Sequence, residues 1–161
     1  MASTLDCLSL LACQNVEFVV VGGMAGVFHG SSVVTEDADV CAPLTQANLE
    51  RIIAALRDVN PRFRMTPQRL PLPLDAARLA GYKNLYLTTD LGQLDILSEI
   101  TGLGDYEEVA CQSNPIDVGG TTYRVLSVDA LIQAKRALGR PKDVQAATEL
   151  EAIRTRRAKQ D

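Results

Sequence analysis

Apolar residues recur at helical spacing over residues 4–14 (TLDCLSLLACQ), which predicts a short amphipathic helix. Phe18 to Val21 are uninterrupted β-formers and read as a buried strand. Gly22 and Gly23 end it, residues 24–29 read as a compact helical stretch, and Gly30 closes that stretch. Residues 37–42 predict a second strand. A helix follows over 44–59, with Leu49, Ile52, Ile53 and Leu56 on one face. Residues 61–73 hold four prolines and three arginines and read as an irregular loop, because proline excludes a regular element there. Residues 74–80 allow one helical turn or two. Segments 84–89 and 93–98 flank Asp90-Leu91-Gly92 as a hairpin, and residues 115–127 turn at Gly119-Gly120 as another. Residues 102–104 read as a loop. Ser127 opens a helix that runs to Leu138 with Asp129 in its first turn. Gly139-Arg140-Pro141 breaks that helix, and a last one runs from Lys142 to about Arg154. The expected class is α/β, with a helical C-terminal end.

A chain of 161 residues suits one domain, 1–161, with a real core. Hydrophobic residues make up 47% and charged residues 22%, which places the sequence among ordinary globular proteins. The net charge of −4 disfavours wholesale electrostatic binding of nucleic acid. Half of the 16 Lys and Arg residues nevertheless fall between Lys135 and Lys159, so that end is equipped to meet phosphate. The four cysteines (Cys7, Cys13, Cys41, Cys111) form no C-x-x-C pair, and His29 is the only histidine. A structural zinc site lacks its usual ligands, and the cysteines read as small buried hydrophobes in a reducing compartment. No apolar run reaches the ~18 residues of a membrane span, and no signal peptide is apparent, so the expected location is the cytoplasm.

Candidate chemistry concentrates in VVVGGMAGVFHGSSVVTEDADV, residues 19–40. On a strand, positions i and i+2 share a face, so Asp37 and Asp39 project together. Two ionised carboxylates that close repel, and a divalent cation removes the penalty. Ala38, Val40 and Cys41 set the pair in an apolar strand rather than at a solvated end. Asp95, between Leu94 and Ile96, is the best third acid; Asp90 reads as a turn residue, and Asp105 follows a glycine-rich loop. Three aspartates on neighbouring strands suit two metal ions about 3.5–4 Å apart, the arrangement of in-line phosphoryl transfer. Gly22-Gly23 adds backbone N–H groups at a helix start, where glycine admits close approach of phosphate. A dinucleotide fingerprint needs G-x-G-x-x-G, and aligning its last two glycines on Gly23 and Gly26 puts Val21 where the first belongs.

Gly22-Gly23, thirteen residues, then Asp37-Ala38-Asp39 resembles the signature of the polymerase-β-type nucleotidyltransferase superfamily. The longer string VGGMAGVFHGSSVVTEDADV resembles its small bacterial members, the AbiEii-like and minimal nucleotidyltransferase groups. LSVDALIQAKRALGRPKDVQAATEL resembles their K-x-x-x-G-R-x-K-D segment, matched here by Lys135, Arg140, Lys142 and Asp143. The resemblance implies a small mixed sheet flanked by helices. It implies Mg²⁺, as a two-ion site, on Asp37, Asp39 and Asp95, which are also the catalytic acids. Gly22, Gly23, Thr35, Lys135 and Lys142 then bind nucleotide, with Thr35 orienting a carboxylate and Asp143 orienting a neighbouring cation. The implied reaction moves a nucleoside monophosphate from an NTP, ATP among them, to an acceptor hydroxyl on a small molecule, a tRNA end or a protein, releasing pyrophosphate. The alternative is a non-catalytic nucleotide-binding protein or a toxin–antitoxin partner. Many relatives carry arginine four residues before the first aspartate, where this chain has Val33. His29, of a recurrent His-Gly pair, is expected to pack or cap a helix end.

Overall fold

The computed structural model describes residues 2–32 and 35–160; Val33 lies outside the described residues. In chain order the elements are α1 (Ala2–Cys13), β1 (Val19–Val21), α2 (Gly22–Phe28), β2 (Ala38–Cys41), α3 (Gln46–Leu56) and β3 (Arg62–Phe63). Then come β4 (Asn84–Thr89), β5 (Gly92–Leu97), β6 (Glu99–Ile100), β7 (Gly104–Asp105) and α4 (Tyr106–Cys111). The chain continues through β8 (Ser113–Val118), β9 (Thr121–Leu126), α5 (Val128–Leu138) and α6 (Pro141–Gln160). Single 3₁₀ turns follow α3 at Arg57–Val59 and precede β4 at Ala76–Leu79.

Seven strands form one mixed sheet in the order β3-β4-β5-β2-β1-β9-β8. The pairs β2–β5 and β1–β9 are parallel, and the other four are antiparallel. Alternation along the strands divides the sheet into two unlike faces. Ala38 and Val40 of β2, Leu94 and Ile96 of β5, and Leu85 and Leu87 of β4 are all fully buried. This face lies under α1, whose Cys7 Sγ comes 3.7 Å from Thr89 Oγ1 on the same side of β4, and α3 packs beside α1. Burying each Leu or Ile there contributes about 1.5–3 kcal/mol. The opposite face of the same strands carries Asp39, Asp95, Gln93 and Tyr86.

Element boundaries follow local chemistry. The Thr45 side chain caps α3 by accepting from Asn48 N, and Ser127 caps α5 by accepting from Ala130 N at 3.2 Å. Gly139, at φ 69°, ends α5 in the left-handed conformation, and Pro141 opens α6 at the first-turn position that tolerates it.

Four sequence expectations need correction. The proline-rich stretch contains a regular element after all: Arg62 and Phe63 pair with Thr88 and Leu87. They form an edge strand, where proline's missing donor is tolerated. Residues 102–104 are not wholly loop, because Gly104 begins β7, which pairs with β6. The final helix reaches Gln160, well beyond Arg154. Of the cysteines, Cys7 and Cys41 are buried, but Cys13 and Cys111 are exposed, each at the last residue of a helix where the chain leaves the core.

Candidate active site

Parallel register places Asp39 directly beside Asp95: Ala38, Asp39, Val40 and Cys41 pair in order with Leu94, Asp95, Ile96 and Leu97. Residues paired in this way point to the same face. Asp37 precedes the strand by one residue and is exposed. It stands close enough to Asp39 to act on it: the Asp39 carboxyl is pushed up to about 6, first by burial, then by the charges of Asp95 and Asp37, with Lys135 and Arg64 partly opposing them. The register therefore brings Asp39 and Asp95 together, with Asp37 acting on Asp39 through its charge from just before the strand. With its amide turned to donate, the Gln93 nitrogen lies 3.2 and 3.3 Å from the two Asp37 oxygens.

Gly22 explains itself against Asp39. Its φ is +65°, and a Cβ there would lie 2.5 Å from Asp39 Oδ2. Only glycine lets the chain turn from β1 into α2 while the carboxylate stands against it. A Cβ on Gly23 would lie 3.1 Å from Thr35 Oγ1. The Thr35 hydroxyl donates to the Asp37 backbone carbonyl at 3.1 Å, so it fixes the main chain before β2 rather than a carboxylate oxygen.

The C-terminal segment closes over this face. A cavity of about 170 Å³ is lined by Gly22, Asp39, Leu97, Lys135 and Arg140 among others. A more open space of about 450 Å³ adjoins it, lined by Asp39, Lys135, Arg140, Lys142, Asp143 and Glu149. Asp143 is 1% exposed, and its carboxylate accepts from Arg140 Nε at 2.5 Å and from Arg140 Nη2 at 3.3 Å, with Lys135 Nζ at 3.8 Å. The Arg140 hydrogen bond, opposed by desolvation and helped by the charges of Arg140 and Lys135, lowers its pKa. A buried acid thus holds two cations at the rim of the cleft that contains Asp39.

The third acid has a partner that sequence reasoning missed. Arg64 Nη2 donates to Asp95 Oδ1, and the guanidinium lies 5.7 Å from the centroid of the Tyr86 ring. The signal in the sequence was three arginines among prolines, which does not say which one reaches inward. His29 is 6% exposed. Its Nδ1 accepts from Arg157 Nη1 at 3.1 Å, which leaves Nε2–H to donate to Leu126 O at 2.8 Å. Burial, more than Arg157, lowers its pKa. It lines neither cleft and ties α2 to β9 and α6, the packing role expected of it.

Comparison with solved structures bears on the whole arrangement. The crystal structure of TM1012 from Thermotoga maritima, provisionally named a nucleotidyltransferase, superposes with a TM-score of 0.53 at 17% identity, over 89% of this chain and 86% of that one. The solution structure of the antibiotic-resistance factor ANT(2'')-Ia gives a TM-score of 0.52 at 15% identity, over 99% and 91%. This chain has the nucleotidyltransferase fold. No family model matches the sequence, and no curated protein is significantly similar to it.

The donor set suits a hard divalent cation such as Mg²⁺: carboxylate oxygens are hard ligands, and Gly22 leaves room against Asp39 Oδ2. Among the described residues, no three His, Cys, Asp or Glu side chains are already gathered into a ligating group. Asp95 is turned to Arg64, and Asp37 stands beside Gln93. No described helix is long and apolar enough to cross a membrane.

Proposed function

We propose that this protein is a Mg²⁺-dependent nucleotidyltransferase, working in the cytoplasm as one domain, that moves a nucleoside monophosphate from an NTP to an acceptor hydroxyl and releases pyrophosphate. The observation that carries the reading is the pairing of Asp39 with Asp95 across two parallel strands, with Gly22 against Asp39 and Lys135 facing it. Asp37, Asp39 and Asp95 would hold the cation. Bound there, Mg²⁺ supplies neutralisation of the triphosphate and acidification of the acceptor hydroxyl. Lys135 and Lys142 act on phosphate as point charges at the cleft rim, and Arg140 offers a planar fork. Gly22 and Gly23 let the triphosphate approach the main chain, with Thr35 fixing the backbone at Asp37. Asp95 would accept the hydroxyl proton.

The acceptor is a small molecule, a tRNA end or a protein side chain, and a host lysate offers all three. The test is incubation of the protein with each NTP, labelled at the α-phosphate, and Mg²⁺ in such a lysate. Label should move onto one species, release pyrophosphate, and vanish with Asp39→Asn. Metal-dependent NTP binding without transfer would leave a nucleotide-binding protein, such as a toxin–antitoxin partner. NTP binding that is equal with and without metal would sink the reading.

A further inference from the structure

Arg64 is poorly satisfied for a guanidinium in a half-buried position. Its side chain is 21% exposed, against 19% for Asp95. Of its nitrogens, Nη2 meets one oxygen of Asp95, and Nη1 reaches a thioether sulfur, Met65 Sδ, at 3.8 Å. Nε is buried with no acceptor at all. An arginine built to stay on a carboxylate uses its fork, with two parallel bonds to two oxygens. This one makes a single-point contact and leaves a buried donor unmet, which native structures rarely tolerate without a reason. The position itself is well defined. Arg62 and Phe63 pair with β4, Arg64 N donates to Tyr86 O at 2.9 Å, and Tyr86 is the cross-strand neighbour of Asp95. The main chain therefore delivers the cation to the acids, while the side chain holds Asp95 at one point only.

Two positive groups cannot share one carboxylate without loss, and the acids crowd together enough to need a counter-charge. From this geometry we propose that Arg64 is the resident counter-cation of the acid cluster, occupying Asp95 in the nucleotide-free protein and competing with the divalent cation for it. The inference rests on the proposed function. It adds a positioning residue that sets cation affinity: Arg64 keeps the three carboxylates partly neutralised, and the cation must displace it to use Asp95 fully. The hold on Asp95, a single-point hydrogen bond with Nε unmet, is what lets a cation displace it.

The experiment measures binding of Mn²⁺ alone, without nucleotide, to the wild type and to Arg64→Gln, by calorimetry or by electron paramagnetic resonance of free Mn²⁺. Loss of a charge-assisted competitor should tighten Mn²⁺ binding on the order of tenfold. In an Asp95→Asn background the same Arg64 substitution should change Mn²⁺ binding much less, because the contested carboxylate is gone and only the charge of Arg64 on Asp39 remains. Arg64→Met keeps an unbranched, uncharged side chain at the position and replaces the glutamine variant where circular dichroism shows that one to be loosened. Unchanged or weaker Mn²⁺ binding in Arg64→Gln and Arg64→Met, with measurable binding in the wild type, overturns the inference and leaves the proposed function standing. Absence of Mn²⁺ binding in every protein overturns the inference, and the proposed function is then decided by whether NTP binding needs metal.

Discussion

Asp39 shows how a single residue's chemistry is set by its neighbours. Its carboxyl is raised to about 6, against about 3.9 for a free aspartate. Between those values the folded chain holds a proton that the unfolded chain has released, so stability falls as pH rises from about 4 to about 6 and recovers as pH falls. At about 1.4 kcal/mol per pH unit the full span is about 3 kcal/mol. Asp39→Asn removes the burden. Without divalent cation the variant should exceed the wild type in stability by about that amount at neutral pH, with the gap halved near pH 5 and gone near pH 4. Denaturant unfolding at three pH values checks this, and parallel profiles would show that the carboxyl carries no such stress. Gly22 is the steric counterpart. Gly22→Ala puts a Cβ 2.5 Å from Asp39 Oδ2 at φ +65°, so it should cost about 1–2 kcal/mol for the left-handed backbone alone and also weaken metal-dependent NTP binding. Gly23→Ala has no positive φ and meets Thr35 Oγ1 at 3.1 Å, so its effect should be smaller in both assays.

At the scale of elements, the junction between α5 and α6 deserves the comparison of two variants. Gly139 and Pro141 break what would otherwise be one helix, and the break returns Asp143 to within reach of Lys135 on α5. Arg140, at the junction, closes on the same carboxylate. The loop after α2 is tied to α6, where Ser32 N and Ser32 Oγ donate to Glu149 Oε1 at 2.9 and 3.1 Å. Those Ser32 bonds, with one from Ser31, lower the Glu149 pKa. Asp143→Asn should both lower the unfolding midpoint and weaken NTP binding, because two cations lose their anchor. Lys142, exposed on the first turn of α6, makes no ion pair among the described residues. Lys142→Ala should weaken NTP binding on the order of fivefold, the weight of about one exposed ion pair, with the midpoint unchanged and the difference narrowing at high salt. If both variants lose stability equally, the division between anchor and ligand is wrong.

For the whole molecule, the sheet's buried face is rigid core while its other face is a charged cleft roofed by α5 and α6. A ligand that binds only the folded state stabilises it by about 2.7 kcal/mol at a hundred times its dissociation constant. For a chain of this size that is a rise in Tm of about 5–10 °C. Mg²⁺ with the preferred NTP should produce it in a thermal scan, a chelator should abolish it, and Asp39→Asn should lack it. A rise that survives the chelator would place nucleotide binding away from the acids.

The sequence by itself determined what local pattern can encode. Alternation in Ala-Asp-Val-Cys and Leu-Asp-Ile-Leu put each aspartate on the face opposite the buried aliphatics, because side chains alternate strictly along a strand. Ser127 and Gly139 bounded α5, because caps act within a turn of the helix end. Asp37, Asp39 and Asp95 were legible as acids on a shared type of face. Which strands are neighbours was not. Asp39 meets Asp95 only because β2 and β5 pair in parallel and in that register, and α3 and the proline-rich stretch lie between them in the chain. The arrival of Arg64 depended on an edge strand that its prolines disguised, and the burial of Asp143 depended on how α6 folds back on α5. The first two are contacts between segments far apart in sequence, and the third needs the turn between two successive helices. Local propensity carries no information about such contacts, and packing of the sheet and helices decides them.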